Sequence, residues 1–169
     1  MYEVQGSAAA FEGQLLTQVE LKYLRAVFKL GGCPGRGSYA RFSEIARFLG
    51  VSAPTVSIMV RRLEDRGLLS VEPRRGVVIT WKGLEMLAEY CWKTSVLEVA
   101  LTKLGVPESY QRDLVEKMAL TLDMKAVVKL WDCLGRPKAC PHGSPLDVNL
   151  ESTREVVEFL EKCCGLGKP

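Results

Sequence analysis

The sequence predicts a mainly α protein with a small β wing, namely an N-terminal winged helix-turn-helix followed by an all-helical domain. Three observations lead there. Three amphipathic helical patterns lie between residues 17 and 66; two β-prone runs then flank Pro73-Arg74-Arg75-Gly76; and apolar positions at helical spacing dominate the remainder.

Residues 1–16 are small and mixed in character and are expected to form a flexible arm. Thr17 and Glu20 then have the spacing of a capping box, and Val19, Tyr23, Ala26, Val27 and Leu30 keep to one helical face until Gly31-Gly32. The stretch "GGCPGRGSYAR" is a loop by composition. Ser43 is the expected cap of a short second helix, "EIARFLG", which Gly50 ends.

The third helix opens on Ser52 as N-cap, with Pro54 in the first turn, where a missing N–H costs little. Val56, Met59, Val60 and Leu63 recur at i, i+3, i+4 and i+7, so this face packs inward. At about 100° per residue, Pro54, Thr55, Ile58, Arg61 and Arg62 fall on the opposite side. After Gly67, "LLSVE" and "GVVIT" read as a hairpin with Arg74 and Arg75 at its tip, which completes a winged helix-turn-helix over residues 17–81.

A second, helical unit is expected over residues 82–169. A long helix runs from Thr80 to about Leu104, with Leu84, Leu87, Ala88 and Cys91 on one face and Leu97, Ala100, Leu101 and Leu104 on a shifted one. That shift predicts a bend or a change of packing partner near Thr94-Ser95. Gly105 and Pro107 end the helix. Two more follow, at 108–121 and 123–134, with inward sets Leu114, Val115, Met118, Leu122 and Val127, Val128, Trp131, Leu134. After the loop "GRPKACPHGSPLDVN", a last helix spans 150–164 with Val156, Val157, Leu160, Cys163 and Cys164 inward.

Composition bounds the function. A chain of 169 residues with 47% hydrophobic content can bury one good core or two small ones. No apolar run approaches the roughly 18 residues of a membrane span, and "MYEVQGSAAAFEGQ" lacks the features of a signal peptide, so a cytoplasmic protein without a membrane partner is expected. The net charge of +3 is unevenly placed: residues 17–81 carry 11 Lys and Arg against 5 Asp and Glu, whereas residues 82–169 carry 12 against 13. A polyanion would therefore meet the first half. There is no Gly-rich phosphate loop, no Gly-x-Ser-x-Gly and no His-Glu-x-x-His, and the single histidine, His142, offers no evident base for a nucleophile, so no enzyme is expected.

The small residues that open the third helix allow its first turn to enter a major groove. Pro54 and Ile58 suit thymine methyls; Ser52, Thr55 and Ser57 suit phosphates or base edges. Arg61 and Arg62 would meet the backbone, and Arg74 and Arg75 an adjacent phosphate or minor groove. The alternative is a winged-helix interaction subunit whose basic face meets an acidic partner.

"SAPTVSIMVRRLEDRGLL", preceded by "RFSEIARFLGV" and followed by "GVVITWKGLEMLAE", resembles the winged-helix domain of the diphtheria toxin repressor family, the iron- and manganese-dependent transcriptional repressors. The likeness continues through "VLEVALTKLGV" into "CPHGSP" and covers residues 17–146. It is similar to the short, two-domain branch, without the SH3-like domain of some members. The resemblance implies a homodimer, held by the helices after residue 105, that binds a palindromic operator on double-stranded DNA.

The metal positions implied by the resemblance are degenerate. The main site falls on Lys22, Glu116, Ala119 and Leu120, of which only Glu116 can ligate; the second falls on Thr94 and Glu98. The usual switch therefore looks dismantled and no cofactor is expected. An ammonium at Lys22 paired with Glu116 would supply a permanent positive charge in place of the metal; the alternative is that Lys22 simply extends into water. The remaining soft ligands are Cys133, Cys140 and His142, at a spacing of Cys-x6-Cys-x-His, with Cys163 or Cys164 able to complete a tetrahedron for zinc, iron or manganese. The bland reading is a turn with packed cysteines; thiol-based sensing at Cys163-Cys164 is a third.

Overall fold

The computed structural model describes residues 16–148 and 152–163. The expected arm, apart from Leu16, and Cys164 lie outside the described residues. Helices α1 (Gln18–Lys29), α2 (Phe42–Leu49) and α3 (Ala53–Asp65) precede strands β1 (Leu69–Glu72) and β2 (Gly76–Ile79), and helices α4 (Trp81–Lys103), α5 (Glu108–Thr121), α6 (Met124–Cys133) and α7 (Thr153–Lys162) follow. The fold class is the mainly helical, winged arrangement that the sequence predicts.

Local chemistry starts each helix. Thr17 and Glu20 form the capping box of α1, and Ser52 caps α3 by accepting from the Thr55 amide. The second helix starts earlier than expected. Its cap is Arg41, not Ser43, because the Glu44 carboxylate accepts from the Arg41 amide at 2.8 Å. Gly50 ends α2 in the left-handed region, with φ of 66°.

The wing is an antiparallel hairpin, Leu69 opposite Ile79 and Glu72 opposite Gly76. Arg74 takes a positive φ at its tip. A further bridge joins Ala40 to Val77, whose backbone groups exchange hydrogen bonds of 2.9 and 2.8 Å, so β2 is anchored to the segment before α2. The start of α4 is pressed against the open end of the hairpin, beside Leu68. A Cβ on Gly83 would lie 2.3 Å from the Leu68 carbonyl oxygen, which only glycine avoids.

The buried stripe of α3 is Val56, Val60 and Leu63, with Met59 partly buried beside it. On α1 the buried set is wider than expected and shifted: Leu21, Leu24 and Phe28 join Tyr23, Ala26 and Val27, whereas Val19 is exposed. Helix α4 is unbroken through Thr94-Ser95; it passes through the middle of the second unit, packed by α5, α6 and α7, so nearly every face is buried and no single apolar stripe is needed. Its end is different, since Leu104 is exposed with Leu114 and Tyr110 of α5. Leu104 and Leu114 are thus not inward residues in this chain. Among the described residues no helix is long and apolar enough to cross a membrane.

Candidate functional site

The outward side of α3 presents Pro54, Thr55, Ser57, Ile58, Arg61 and Arg62, all exposed. Ile58 is 69% exposed. Ser57, Ile58, Arg61, Arg62, Asp65 and Arg66 line a shallow groove along the helix. Ser52 is exposed too, but its hydroxyl is engaged locally, 2.8 Å from the Thr55 hydroxyl.

Arg62 is not simply solvated. Its Nε lies 3.3 Å from Glu20 Oε1, which also receives Arg66 Nη1 at 2.6 Å, while the other carboxylate oxygen accepts from the Thr17 amide and hydroxyl at 2.9 Å each. Burial alone would raise the Glu20 pKa; the hydrogen bonds from Arg66 and Thr17, with the Arg66 charge, outweigh it and hold the carboxyl below its ordinary range. A capping-box glutamate thus also ties the first helix to the reading helix.

At the wing, Arg74 and Arg75 are exposed. The Arg75 guanidinium lies over the Tyr39 ring, 5.7 Å from its centroid, and Arg75 Nη1 donates to the Tyr39 hydroxyl at 3.4 Å. Sequence reasoning missed Tyr39, which lies in a glycine-rich loop with no pattern to mark it.

Of the two readings of Lys22, the solvated one holds: Lys22 is exposed, and no ion pair joins it to Glu116. The cation facing Glu116 is Arg25, with Nη1 at 3.9 Å from Oε1, and Gln18 Nε2 donates to the other oxygen at 3.3 Å. The guanidinium of Arg25 also sits 5.2 Å from the Tyr90 ring centroid. The reason is periodicity: Arg25 stands one turn beyond the buried Leu21 and beside the buried Leu24, whereas Lys22 points away. Ala119 is buried, Leu120 is partly buried, and Thr94 donates to its own helix at Cys91 O.

A second cluster forms where the chain returns to α4. Residues 139–145 make a tight turn, bridged between Ala139 and Pro145, with the Cys140 amide donating to Ser144 O at 2.9 Å. Trp92 of α4 donates to Leu146 O at 3.0 Å and Ser144 donates to Lys162 O at 3.1 Å, so the turn is pinned to both α4 and the end of α7. This brings ligand atoms of Glu98, Cys140 and His142 within 4.8 Å of one another. His142 Nδ1 is 3.3 Å from Glu98 Oε2 and Nε2 is 3.7 Å from Glu108 Oε1. Burial would lower the His142 pKa, but the Glu98 hydrogen bond and charge, with Glu108 beside them, hold it above its ordinary value.

The grouping corrects the expected Cys133-Cys140-His142 set. Cys133 is exposed at the end of α6, because α6 turns Val127 and Trp131 inward and leaves the residue two beyond Trp131 facing water. Glu98 takes its place. Cys163 does not approach the cluster either; it is buried against Cys91 and Ser95, and its hydrogen bond with Cys91 together with burial pushes its thiol far up. That is the environment of an inert structural thiol. The donor set of one thiolate, one imidazole and one carboxylate fits a borderline transition ion such as zinc or iron(II), and does not suit the all-oxygen preference of magnesium or calcium.

The comparisons with known proteins agree with this geometry. Residues 15–77 match the family model described as iron dependent repressor, N-terminal DNA binding domain, and residues 80–146 match that for the metal binding and dimerisation domain. A relative from Aeropyrum pernix, called an uncharacterized HTH-type transcriptional regulator, is 43% identical over 150 residues, which is 86% of this chain and 81% of that protein. The transcriptional regulator MntR of Escherichia coli is 41% identical over 75 residues, so the match spans 44% of this chain and 48% of MntR.

Among solved structures, the hypothetical protein SSo2273 from Sulfolobus solfataricus superimposes with a TM-score of 0.70 at 25% identity, covering 79% of this chain and all of that one. ScaR with bound Zn2+ superimposes with a TM-score of 0.63 at 29% identity, over 75% of this chain and 58% of ScaR. With both domain models matched in order, and a winged helix-turn-helix joined to a helical unit, this chain belongs to the iron dependent repressor family of dimerising, DNA-binding transcriptional regulators, which are not enzymes.

Proposed function

We propose that this protein is a homodimeric cytoplasmic repressor that reads a palindromic operator with the outward face of α3 and the Arg74-Arg75 wing, and that a transition ion at Glu98, Cys140 and His142 tunes it. The observation that carries the DNA reading is the exposure of Pro54, Thr55, Ser57, Ile58 and Arg61 on one side of a helix whose opposite side is sealed into the core. A short apolar and hydroxylic surface admits close approach to base edges, and the arginines one turn on supply phosphate contacts. Ser52 serves mainly as the helix cap, and Arg62 must leave or share Glu20 to reach a phosphate.

The metal reading rests on the convergence of three different donors from α4 and the 139–145 turn. The Lys22, Glu116, Ala119 and Leu120 positions play no part in it. Leu104 at the end of α4 and Tyr110 and Leu114 on α5 are large side chains left exposed on the second unit, which favours this end of the unit for the twofold contact.

The test is binding of duplex DNA by the whole protein across salt and with or without chelator. A reader making six or more phosphate contacts loses roughly three orders of magnitude in affinity between 50 and 200 mM salt and protects one palindrome. Binding with no sequence preference and a shallow salt slope would point instead to a winged-helix interaction subunit. Loss of operator binding on chelation, restored by zinc or iron in the wild type but not in Cys140→Ala, supports the metal assignment; chelator-insensitive binding overturns it.

A further inference from the structure

His142 stands between two carboxylates on two different helices. Nδ1 faces Glu98 of α4 at 3.3 Å, and Nε2 faces Glu108, the first residue of α5, at 3.7 Å. One imidazole offers only one nitrogen to a single small ion. The nitrogen on the side of Glu98 is Nδ1, so a ligating His142 is neutral with its proton on Nε2, and that proton points toward Glu108.

From this geometry we infer that Glu108 is the positioning residue of the metal cluster, accepting a hydrogen bond from the Nε2–H of His142 and thereby joining the metal turn to the first turn of α5. The inference rests on the metal reading of Glu98, Cys140 and His142. A ligating histidine ordinarily gives its other N–H to a carboxylate or carbonyl, which holds the tautomer and ring orientation and raises the basicity of the ligating nitrogen. At 3.7 Å the contact is an ion-pair approach and not yet a hydrogen bond. Glu108 is exposed, and its helix is capped by Pro107, which makes no side-chain cap. Among the described residues no other side chain pairs with the Glu108 carboxylate, so it is able to close on an imidazole fixed by an ion.

The consequence reaches the assembly. Glu108 lies in the same first turn of α5 as Tyr110, and Leu114 is one turn further on; both are exposed apolar residues on the proposed twofold surface. Ordering the start of α5 against the 139–145 turn orders that surface. Metal binding and dimerisation are then coupled, and by reciprocity each tightens the other by the same factor.

The experiment uses full-length protein with zinc competed against a chromophoric chelator, cobalt titrated to follow the thiolate charge-transfer band of Cys140, and sedimentation to measure the dimer constant with and without zinc. In wild type, zinc is expected to bind once per chain and to tighten the dimer about fivefold or more, the lower end of ordinary coupling. Glu108→Ala is expected to weaken zinc about 10-fold, as loss of an orienting partner does, and to abolish the effect of zinc on the dimer. Glu108→Gln, whose amide oxygen still accepts a hydrogen bond, should recover part of both.

If wild type and Glu108→Ala bind zinc equally and dimerise equally in response, the role of Glu108 is refuted while the metal site stands. If wild type binds no better than Cys140→Ala, the metal site and the inference fall together. Because Glu108 is exposed, its replacement leaves the core intact, and apo-protein melting identical to wild type verifies this.

Discussion

Glu20, wholly buried near the start of α1, accepts a 2.6 Å ion pair from Arg66 at the end of α3 and a 3.3 Å one from Arg62. The reading helix is thereby held to the first helix by an anion that the core encloses. Removing one partner of a buried pair costs roughly 3–5 kcal/mol, and Arg66 keeps some contact with water, so Glu20→Ala should destabilise by about 3 kcal/mol in a urea melt. The folded pKa of Glu20 lies below its unfolded value. The pair therefore contributes fully above the ordinary carboxylate range, and its contribution is lost as pH falls through the folded pKa. The stability gap between wild type and Glu20→Ala should narrow as the solution is acidified below that range; a gap independent of pH would contradict the assignment.

Arg25 and not Lys22 supplies the cation opposite Glu116. Both partners are about one-third exposed and 3.9 Å apart, so the pair is worth no more than about 0.5–1 kcal/mol. Lys22→Ala should leave stability and operator affinity unchanged, whereas Arg25→Ala should lower stability slightly and weaken operator binding in a manner that added metal does not restore. A Lys22→Ala variant as impaired as Arg25→Ala would reverse this order.

Tyr39 orients Arg75. Arg75→Ala should weaken operator binding and reduce the salt slope by about 1, the signature of one lost phosphate contact. Tyr39→Ala should reproduce part of the affinity loss with an unchanged slope, since the charge remains but is no longer held. Tyr39→Phe retains the ring and should fall between Tyr39→Ala and wild type in a mobility-shift titration.

Gly83 meets the Leu68 carbonyl with no room for a side chain. Gly83→Ala should separate the wing base from the start of α4 and destabilise the fold by roughly 1–3 kcal/mol, the usual cost of overpacking. Thermal melting measures it directly, and an unchanged midpoint would mean that the wing and α4 are free to part.

Several elements were legible before any coordinates. The Thr17-Glu20 box, the Ser52 cap, the Gly50 stop, the Val56-Val60-Leu63 stripe and the turn between the wing strands are all local features, acting within about one helical turn or one hairpin. Errors began where a local rule had a rival nearby. Ser43 is a good cap by type, yet Glu44 reaches the Arg41 amide and starts α2 two residues earlier. Val19, Leu104 and Leu114 fit helical spacing, but they stand exposed, with no cover among the described residues.

By itself the sequence determined the order of helices and wing, the basic bias of the first half and the polarity of the reading helix, because periodicity, capping and charge are written in adjacent residues. Only the tertiary structure decided that Glu98 and not Cys133 joins Cys140 and His142, that Arg25 and not Lys22 meets Glu116, and that Glu20 grips Arg66. His142 and Glu98 are 44 positions apart, and Gln18 and Glu116 are 98. Which side chains meet across such spans depends on the rotation and docking of whole helices, quantities set by the summed packing of the core and carried by no short stretch of chain.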